Sequence, residues 1–502
     1  MSYAASPAPG AAAAPSAGQM GRAERWLFAA GDLFGGGASA TLAVFYLFYL
    51  TDIVGIPPGL AGTTIVVSKV WDAINHPIMG VITDRTRSRW GRRRPWIFGG
   101  ALLLPPAMAA LWAPIGDWSS TTAKVWFVII AHLLWTTVAS VVLVPYGSLS
   151  TEVTTDPDER SRVNVLRLGF ATFSTAGCTL VMNILVKAYM DGVLSVGQVY
   201  VALFAGFGTF FSVPLLLAAR FSHERAPVSE HVDHLDWRVL LSPFQVRSFR
   251  RLLVLYICPA ITIDLVTSVA IYFVQYVVRA DIRLFMGTFA LASIGMVPLL
   301  LRLVSRLDKA VVYRSAIPAS VVAMVVVAFY SAAWPHWPIY LLCAVAAVGI
   351  AAPLICVWVM FPDVVDDGEL RQGERNAGSF AGIFVLVRTA ASAVATFVVG
   401  WVLELSGYRQ PEHGRPRIGT AVLEQPESAI LGIRLVVAIS VVVLMAIAWW
   451  GSRHYPLTRA RMLQIDGELD VARAARHTVS AEGAHTPVAF PPTEREHPTQ
   501  PD

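Results

Sequence analysis

Residues 69–96 read KVWDAINHPIMGVITDRTRSRWGRRRPW, and they combine two unusual features. The first half places Lys69, Asp72 and His76 in a mostly apolar run, and the second half holds six arginines within ten residues. The spacing i, i+3, i+7 puts the three ionisable groups on one face of a helix. A charge that faces lipid costs at least ~2.5–3.5 kcal/mol at the centre of a membrane span. If the run crosses a membrane, this face therefore predicts a wet cavity or polar partners.

The composition of the whole chain is typical of a membrane protein. Of the 502 residues, 55% are hydrophobic and 15% are charged, whereas a soluble domain carries roughly 25% charged residues. The apolar residues come in blocks of about 20, the length that spans a bilayer core as a helix. We therefore expect an all-α membrane protein with twelve transmembrane helices. They are predicted at 26–50, 60–83, 95–115, 122–145, 164–188, 195–219, 249–278, 284–303, 311–333, 337–361, 377–405 and 428–450.

A polar connection at 220–248 divides the twelve predicted spans into two sets of six. The sets form two six-helix bundles at 26–219 and 249–450. The leader at 1–25 is rich in Ala, Pro, Gly and Ser, and the tail at 451–502 is polar and Pro-rich, so both are predicted to be disordered. Two bundles of six are typical of a secondary transporter, whose substrate site lies near mid-membrane between the halves.

The loops between the spans predict the orientation of the chain. Lys and Arg are concentrated in the loops after spans two, four, six and eight, and the loops after spans one and nine have none. Because such residues favour the cytoplasmic side, even-numbered loops and both termini are predicted to face the cytoplasm of a bacterial inner membrane. One predicted outer loop disagrees, since 406–427 carries Arg409, Arg415 and Arg417.

Several classes of function are not supported by the sequence. The net charge of +5 does not indicate nucleic-acid binding, because the cationic residues lie between the apolar blocks. The four cysteines all fall inside predicted spans, where small buried thiols are expected. The sequence contains neither a GxxxxGK[ST] pattern, which would predict an ATP-driven pump, nor an HExxH pattern, which would predict a metal enzyme. We expect no enzyme activity, no cofactor and no nucleic-acid partner, and we expect a monomer that contacts a small-molecule substrate and membrane lipid.

Four further ionisable groups lie inside predicted spans: Asp32, Arg167, Asp264 and Arg388. For both arginines a ligand or gate role and a structural ion pair are equally open, and Asp32 is evenly balanced. For Asp264 the structural interpretation leads, because the sequence shows no partner.

For the residues on the face of span two, the functional interpretation is a cation or proton site. An aspartate gives a carboxylate to a cation or carries a proton, and histidine titrates near neutral pH. The alternative is a Lys69–Asp72 pair that only fixes packing. Among the aromatic residues, Trp135, Tyr146 and Trp71 are candidates for stacking on a sugar ring, although packing and interface anchoring are commoner.

The stretch WDAINHPIMGVITDRTRSRWGRRRPW closely resembles the span-two signature of the glycoside–pentoside–hexuronide:cation symporters, a branch of the major facilitator superfamily. AAGDLFGGG…YLFYLTDIVGI is similar to the family's span one, VPYGSLSTEVTTDPDERSRVNVLR to its span four–five region, and FPDVVDDGELRQGERNAGSFAGIFVLVR to its span ten–eleven region. The four stretches follow the family's order and cover both halves. The resemblance implies the major facilitator fold and secondary active transport of a sugar- or glycoside-like solute by alternating access.

The resemblance also implies where a coupling ion would act. Sodium-coupled members offer two aspartates four residues apart in span two, and this chain has Asp72 and His76 at these positions. An acidic residue of span four in the best-known bacterial member is Leu143 here, and a hydroxyl ligand is kept as Ser140. With two carboxylates of three replaced, protons are favoured over sodium as the coupling ion, and an uncoupled facilitator is the alternative. The predicted coupling residues are Asp72, His76, Lys69 and Ser140, with at most a weak monovalent cation site at Asp72.

The family's substrate residues are matched only in part. Its galactoside-binding aspartate of span one aligns with Gly36, and Asp32 lies one turn earlier. Its span-eleven lysine appears as Arg388, and its span-five arginine is matched by Arg167. The predicted substrate-binding residues are Asp32, Arg167, Arg388, Trp135 and Tyr146.

The replacements Leu143 and Gly36 make the predicted cavity less hydrophilic. They leave open a second kind of cargo on the same fold, a lipid-like or secondary-metabolite amphiphile that is carried or exported.

Residues 80–93 resemble the superfamily's gating motif in the loop after span two. Asp84 and nearby arginines would close the cytoplasmic side in one state, with DPDER (156–160) and DGELRQGER (367–375) as partners. The alternative is that the arginines only hold the loop inside. The predicted gate residues are Asp84, Arg85, Arg92, Arg93, Glu159, Arg160, Glu374 and Arg375.

Overall fold

The first half of the chain folds into six helical segments. The structure is a computed structural model, and it describes residues 20–150, 152–154, 156–225, 242–372, 377–410, 424–465, 467–469 and 471. The segments are α1 (Arg22–Ala30, Asp32–Thr41 and the π-helical turns Leu42–Tyr46 and Tyr49–Ile53), α2 (Pro58–Arg85), α3 (Arg94–Leu111), α4 (Thr121–Leu149), α5 (Pro157–Met190) and α6 (Val196–Val201, Ala202–Phe207 and Gly208–Phe221).

Six further segments form the second half, after a short 3-10 turn at Ser242–Gln245. The segments are α7 (Arg247–Tyr272 and Phe273–Val278), α8 (Ile282–Gly295 and Val297–Arg306), α9 (Lys309–Ala328), α10 (Trp337–Gln372), α11 (Ala377–Leu405) and α12 (Glu427–Ile439, Ser440–Leu444 and Met445–Arg453).

Ten of the twelve segments are long and apolar enough to cross a membrane by length and composition, counted over the described residues. The two others are α2 and α3. The helix α2 contains Lys69 and Asp72 and ends in Asp84 and Arg85, and α3 has 18 residues with two prolines inside. Polar residues and prolines therefore lower the apolar character of these two segments, and the predicted all-α membrane protein of twelve helices is confirmed.

Near both ends of the described part of the chain, helical structure extends beyond the predicted boundaries. The helix α1 begins at Arg22, inside the predicted leader 1–25, and residues 1–19 lie outside the described residues. Met20 is buried, and its backbone N–H donates to Glu159 at 3.0 Å. An ordered start is therefore stabilised by a carboxylate 139 residues away, which composition alone does not reveal.

The predicted disordered tail at 451–502 begins too early. The helix α12 continues to Arg453, and residues 459–465 are helical as well. Tyr455, Leu457 and Ile465 are buried, and the Arg459 N–H donates to Asp308 of the second half at 3.0 Å. Residues 472–502 and the central part of the connection, 226–241, lie outside the described residues.

Glycines allow close helix crossings at two places that shape the interior. A Cβ on Gly36 would lie 2.2 Å from the carbonyl oxygen of Ala171, so α1 and α5 touch there through their backbones. Gly62 and Gly400 face each other where α2 crosses α11, and a Cβ on Gly400 would lie 3.1 Å from the Cα of Gly62. Small residues are typical of helix interfaces in membranes, where close backbone approach replaces a hydrophobic driving force. The second crossing joins the two halves.

Candidate functional site

A cavity of about 640 Å³ lies between the two halves. Its walls come from α1 and α5 of the first half and from α7, α8, α10 and α11 of the second. Pockets for small molecules have volumes of roughly 300–1,000 Å³, so the cavity suits a small solute. Its polar uncharged lining consists of Ser39, Thr172, Thr175, Thr179, Asn183, Thr267 and Ser293.

An ion pair lies in the cavity wall of the second half. Arg388 of α11 donates from both terminal nitrogens to the carboxylate of Asp264 on α7, with one of the two bonds at 2.7 Å. Both side chains line the cavity. The sequence showed no partner for Asp264, because the two residues are 124 positions apart. For Arg388, the structure supports both open interpretations, since the residue is paired and also lines the cavity.

A second ion pair lies beside the cavity in the first half. Arg167 of α5 donates from Nε to a carboxylate oxygen of Asp32 on α1 at 2.7 Å. The guanidinium carbon lies 4.7 Å from the ring centre of Tyr146, whose hydroxyl donates to the Phe28 carbonyl at 2.6 Å. Three predicted substrate residues therefore come together here, next to lining residues of α1 and α5.

Trp135 is placed differently from the prediction. It is 3% exposed, and its ring packs edge-on against Phe34 with ring centres 5.9 Å apart. It presents no ring face to a cargo in this conformation. The apolar character of the helix α4 did not show which of its faces is buried, so sequence reasoning could not place this side chain.

Asp72 lies between two of its predicted partners. The Nε2 atom of His76 is 3.5 Å from the Asp72 carboxylate, and the Ser140 hydroxyl on α4 donates to the same oxygen at 3.4 Å. The side chains of Asp72 and His76 are 18% and 38% exposed. Among the described residues Asp72 pairs with His76 and not with Lys69, so the predicted alternative of a packing pair is not what the structure shows.

Acidic residues bind the arginine block. The inner cluster, as we call it, consists of Asp84, Arg92, Arg93, Glu152 and Glu224. Arg93 donates to Glu152 at 2.7 and 2.9 Å and lies 3.1 Å from Asp84, while Arg92 donates to Glu152 at 2.6 Å. Glu224 accepts the backbone N–H groups of both arginines at 2.9 Å. Sequence reasoning missed both glutamates, although Glu152 lies within the stretch that carries the family resemblance.

Two other predicted gate residues lie at the same end. Glu159 accepts from Arg25 at 2.5 Å and from the Met20 N–H, and Arg160 donates to the Thr154 carbonyl at 3.2 Å. Burial raises the pKa of Glu159, but these hydrogen bonds and the charge of Arg25 outweigh it and lower the pKa below its usual value. The described ion pairs of Glu159 and of the inner cluster stay within the first half.

In the second half, the equivalent end has pairs of its own. Lys309 contacts Asp363 at 2.6 Å, and Arg371 contacts Asp367 at 2.9 Å. Arg85 is exposed, and Glu374 and Arg375 lie outside the described residues. The ion pairs described here lie within each half, and the predicted closure across the halves stays a prediction.

Replacing Glu152 by Gln is expected to destabilise the fold. The substitution removes the carboxylate that Arg92 and Arg93 share and leaves Asp84 as the charged partner of Arg93. An unsatisfied buried polar group costs about 1–3 kcal/mol. The melting temperature of the purified protein, followed by the fluorescence of a thiol-reactive dye, should fall. Glu468→Gln is the matched control, because the Arg461–Glu468 pair is largely exposed and should contribute little. Equal melting temperatures for both variants would contradict a stabilising role.

At the opposite end the two halves are joined directly. Asp52 of α1 accepts hydrogen bonds from Tyr276 at 2.8 Å and from Tyr408 at 2.9 and 3.1 Å, and Thr51 lies 2.7 Å from the Tyr272 hydroxyl. These five residues are called the outer cluster. The backbone N–H of Gly59 donates to Glu404 at 2.6 Å, and Gln410 donates to the Ile56 carbonyl at 2.5 Å. The cavity is therefore closed at this end by polar contacts.

Twelve helices in two halves, with a central cavity closed at one end, define a secondary transporter of the major facilitator type. The chain belongs to the MFS/sugar transport protein family, which matches residues 27–459. The resemblance to the glycoside–pentoside–hexuronide:cation symporters is confirmed by this match and by the related symporters.

Two relatives and one solved structure illustrate the similarity. An uncharacterized symporter of Synechocystis sp. is 29% identical over 90% of this chain and 97% of its own length. A glucuronide carrier protein homolog of Escherichia coli is 25% identical over 88% of this chain and 94% of its own length. The xylose transporter XylE of E. coli in its inward open conformation shares the fold, with a TM-score of 0.54, 12% identity and coverage of 84% and 94%.

Proposed function

We propose that this chain moves a hydroxylated, sugar- or glycoside-like solute across the bacterial inner membrane by alternating access, with proton coupling. The observation that carries the proposal is the cavity of about 640 Å³ between the halves, with hydroxyl and amide groups on its walls. Hydroxyl and amide side chains both donate and accept hydrogen bonds, which is what a polyhydroxylated cargo needs.

The closed end supports an inward-facing state. The arginine bias of the loops puts the outer cluster on the side away from the cytoplasm, with both termini inside. The contacts across the halves close that side, whereas the described ion pairs at the arginine-rich end stay within each half. In alternating access, a closed outer side belongs to the state in which the cargo site faces the cytoplasm.

Proton coupling is supported by the surroundings of Asp72. Its carboxylate lies beside an imidazole and a hydroxyl, and the side chain is 18% exposed. A sodium site would need several hard oxygen ligands, and carboxylate and carbonyl oxygens are the usual ones. The imidazole of His76 stands where a second carboxylate would serve sodium. An Asp–His pair suits the uptake and release of a proton.

Transport by the purified chain in proteoliposomes tests this function. We expect saturable uptake of at least one solute from a panel of labelled monosaccharides and glycosides, and faster uptake when the outside is made acidic. A Thr175→Trp variant, in which a large ring fills the cavity, should remove the uptake. Uptake that does not respond to a proton gradient would refute the coupling, and absence of uptake for the whole panel would refute the cargo class.

A second candidate function rests on the apolar part of the same wall. Leu168, Leu180, Met286, Phe289 and Ile294 also line the cavity. An amphiphile could place its alkyl part against these residues and its polar part against the hydroxyl groups. Thermal stabilisation of the protein by sugars, compared with stabilisation by lysolipids and terpenoid glycosides, distinguishes the two cargo classes.

A further inference from the structure

The charges of the cavity are already paired within the protein. In the part of the chain that the structure describes, three charged side chains line the cavity: Asp264, Arg388 and Arg283. Arg388 is held by Asp264. Arg283 donates to Asp281 from two nitrogens, at 3.1 and 2.7 Å. The hydrogen bonds from Arg283 lower the pKa of Asp281 to about 2, so this pair keeps both charges at neutral pH.

The two halves repeat the same arrangement. In the first half an aspartate of the first helix, Asp32, pairs with an arginine of the fifth helix, Arg167. In the second half Asp264 of the first helix pairs with Arg388 of the fifth helix. The halves of major facilitators are related by an axis along the membrane normal. The two pairs are therefore equivalent, and each half neutralises its own arginine beside the cavity.

We infer that the cargo is an uncharged polyol or glycoside, and that the two Asp–Arg pairs select against anionic sugars such as uronides. The inference rests on the proposed function and narrows its substrate class. An arginine whose charge is already neutralised by a carboxylate attracts a second carboxylate less strongly. A charged cargo that moves from water into the cavity would also find no free counter-charge there, and a buried unpaired charge is costly. A neutral solute can still use the hydroxyl groups of the walls.

Asp32 and Asp264, which neutralise the two arginines, thus determine the preference for neutral cargo. Replacing Asp264 by Asn keeps the size of the side chain and frees Arg388 to bind a cargo carboxylate. Since arginine and carboxylate form strong two-point hydrogen bonds, the variant should gain affinity for uronides. A loss of function alone would not distinguish specificity from damage to the fold, whereas this gain does.

The test compares ligands that differ only in charge. Methyl β-D-glucoside and methyl β-D-glucuronide, and the corresponding galacto pair, are titrated calorimetrically into the full chain in lipid nanodiscs. The wild-type protein should bind the neutral member at least about tenfold more tightly. A uronide carboxylate that finds no free charged partner in the cavity loses binding free energy of about this order. Asp264→Asn should shift the ratio of the two affinities about tenfold towards the uronide.

Two further variants complete the test. The double variant Asp264→Asn/Arg388→Gln should return the preference to the neutral sugar. Asp117→Asn removes an exposed carboxylate in the loop between α3 and α4, outside the cavity lining, and it should leave the ratio unchanged. If Asp264→Asn does not fold, Asp32→Asn provides the equivalent change in the first half.

The outcomes separate the two claims. Tighter binding of a uronide by the wild-type protein, or an unchanged ratio in the folded aspartate variants, overturns the inference and leaves the proposed transport of sugars standing. Failure of the wild-type protein to bind any of the four sugars overturns the sugar-like cargo itself, and the inference with it.

Discussion

An Asp72→Asn variant is expected to lose the accumulation of its cargo while still exchanging it across the membrane. A potential of 100 mV is worth ~2.3 kcal/mol for each charge moved. Since 1.4 kcal/mol is a factor of ten, this energy supports roughly 50-fold accumulation of a neutral solute carried with one proton. Without a titratable carboxylate at position 72, the internal concentration should only reach the external one. The cavity itself is unchanged, so exchange should continue.

The measurement uses proteoliposomes with an imposed potential of about 100 mV, negative inside, and the labelled solute identified by the panel of sugars. The steady-state ratio of internal to external label reports coupling, and counterflow against unlabelled solute reports the cavity. Asp117→Asn is the matched control, because Asp117 is exposed in the loop between α3 and α4. Undiminished accumulation in Asp72→Asn would remove this residue from the coupling mechanism.

The contact between the predicted coupling residues could be found in the sequence because they are local. Asp72 and His76 lie four residues apart on one helix, so their contact follows from helical periodicity. The arginine block was visible for the same reason. The carboxylates that bind it were less evident, since Glu152 and Glu224 come from other segments, about 60 and 130 residues away. Contacts between helices depend on the packing of the fold, which periodicity does not specify.

The twelve spans were also predictable, because apolar blocks of membrane length carry a strong signal. The helical residues outside the predicted boundaries were not, since Met20 is bound by Glu159, 139 residues away, and Ile465 is buried by the fold. Trp135 illustrates the limit within a helix. In a segment that is apolar on all sides, the sequence does not show which ring faces the core and which faces the cavity.

Asp52 is the clearest case of a functional candidate that sequence reasoning passed over. It lies within the family-like stretch YLTDIVGI, but just after the predicted end of span one, where a carboxylate is ordinarily solvated. The structure buries it at 8% exposure under Tyr276 and Tyr408, which are 224 and 356 residues away. Tyr276 of α7 and Tyr408, which follows the end of α11, thus converge on one carboxylate of the other half. From this convergence we expect the outer cluster to have an energetic role in the transport cycle.

Replacing Asp52 by Asn is expected to shift the protein from the inward-facing towards the outward-facing state. Hydrogen bonds to a charged group contribute about 1.5–3 kcal/mol, and the variant loses the charged acceptor of two tyrosines. The loss occurs only in the state in which the outer end is closed, so the ratio of the two states should change at least about tenfold. Tyr276→Phe and Tyr408→Phe should act in the same direction, because they leave the buried carboxylate with fewer donors.

Double electron–electron resonance measures this shift as the distance between spin labels at Ser119 and His336. Both residues are exposed in loops of different halves at the outer end. Wild-type protein should give mainly the short distance, and Asp52→Asn mainly the longer one. Tyr313→Phe is the matched control, because its buried hydroxyl donates at 2.7 Å to the Leu255 carbonyl within a single half. This variant removes a buried tyrosine hydrogen bond that does not join the halves. If both variants lower the melting temperature but leave the distances unchanged, the outer cluster only stabilises the fold, and closure of the outer end has another cause.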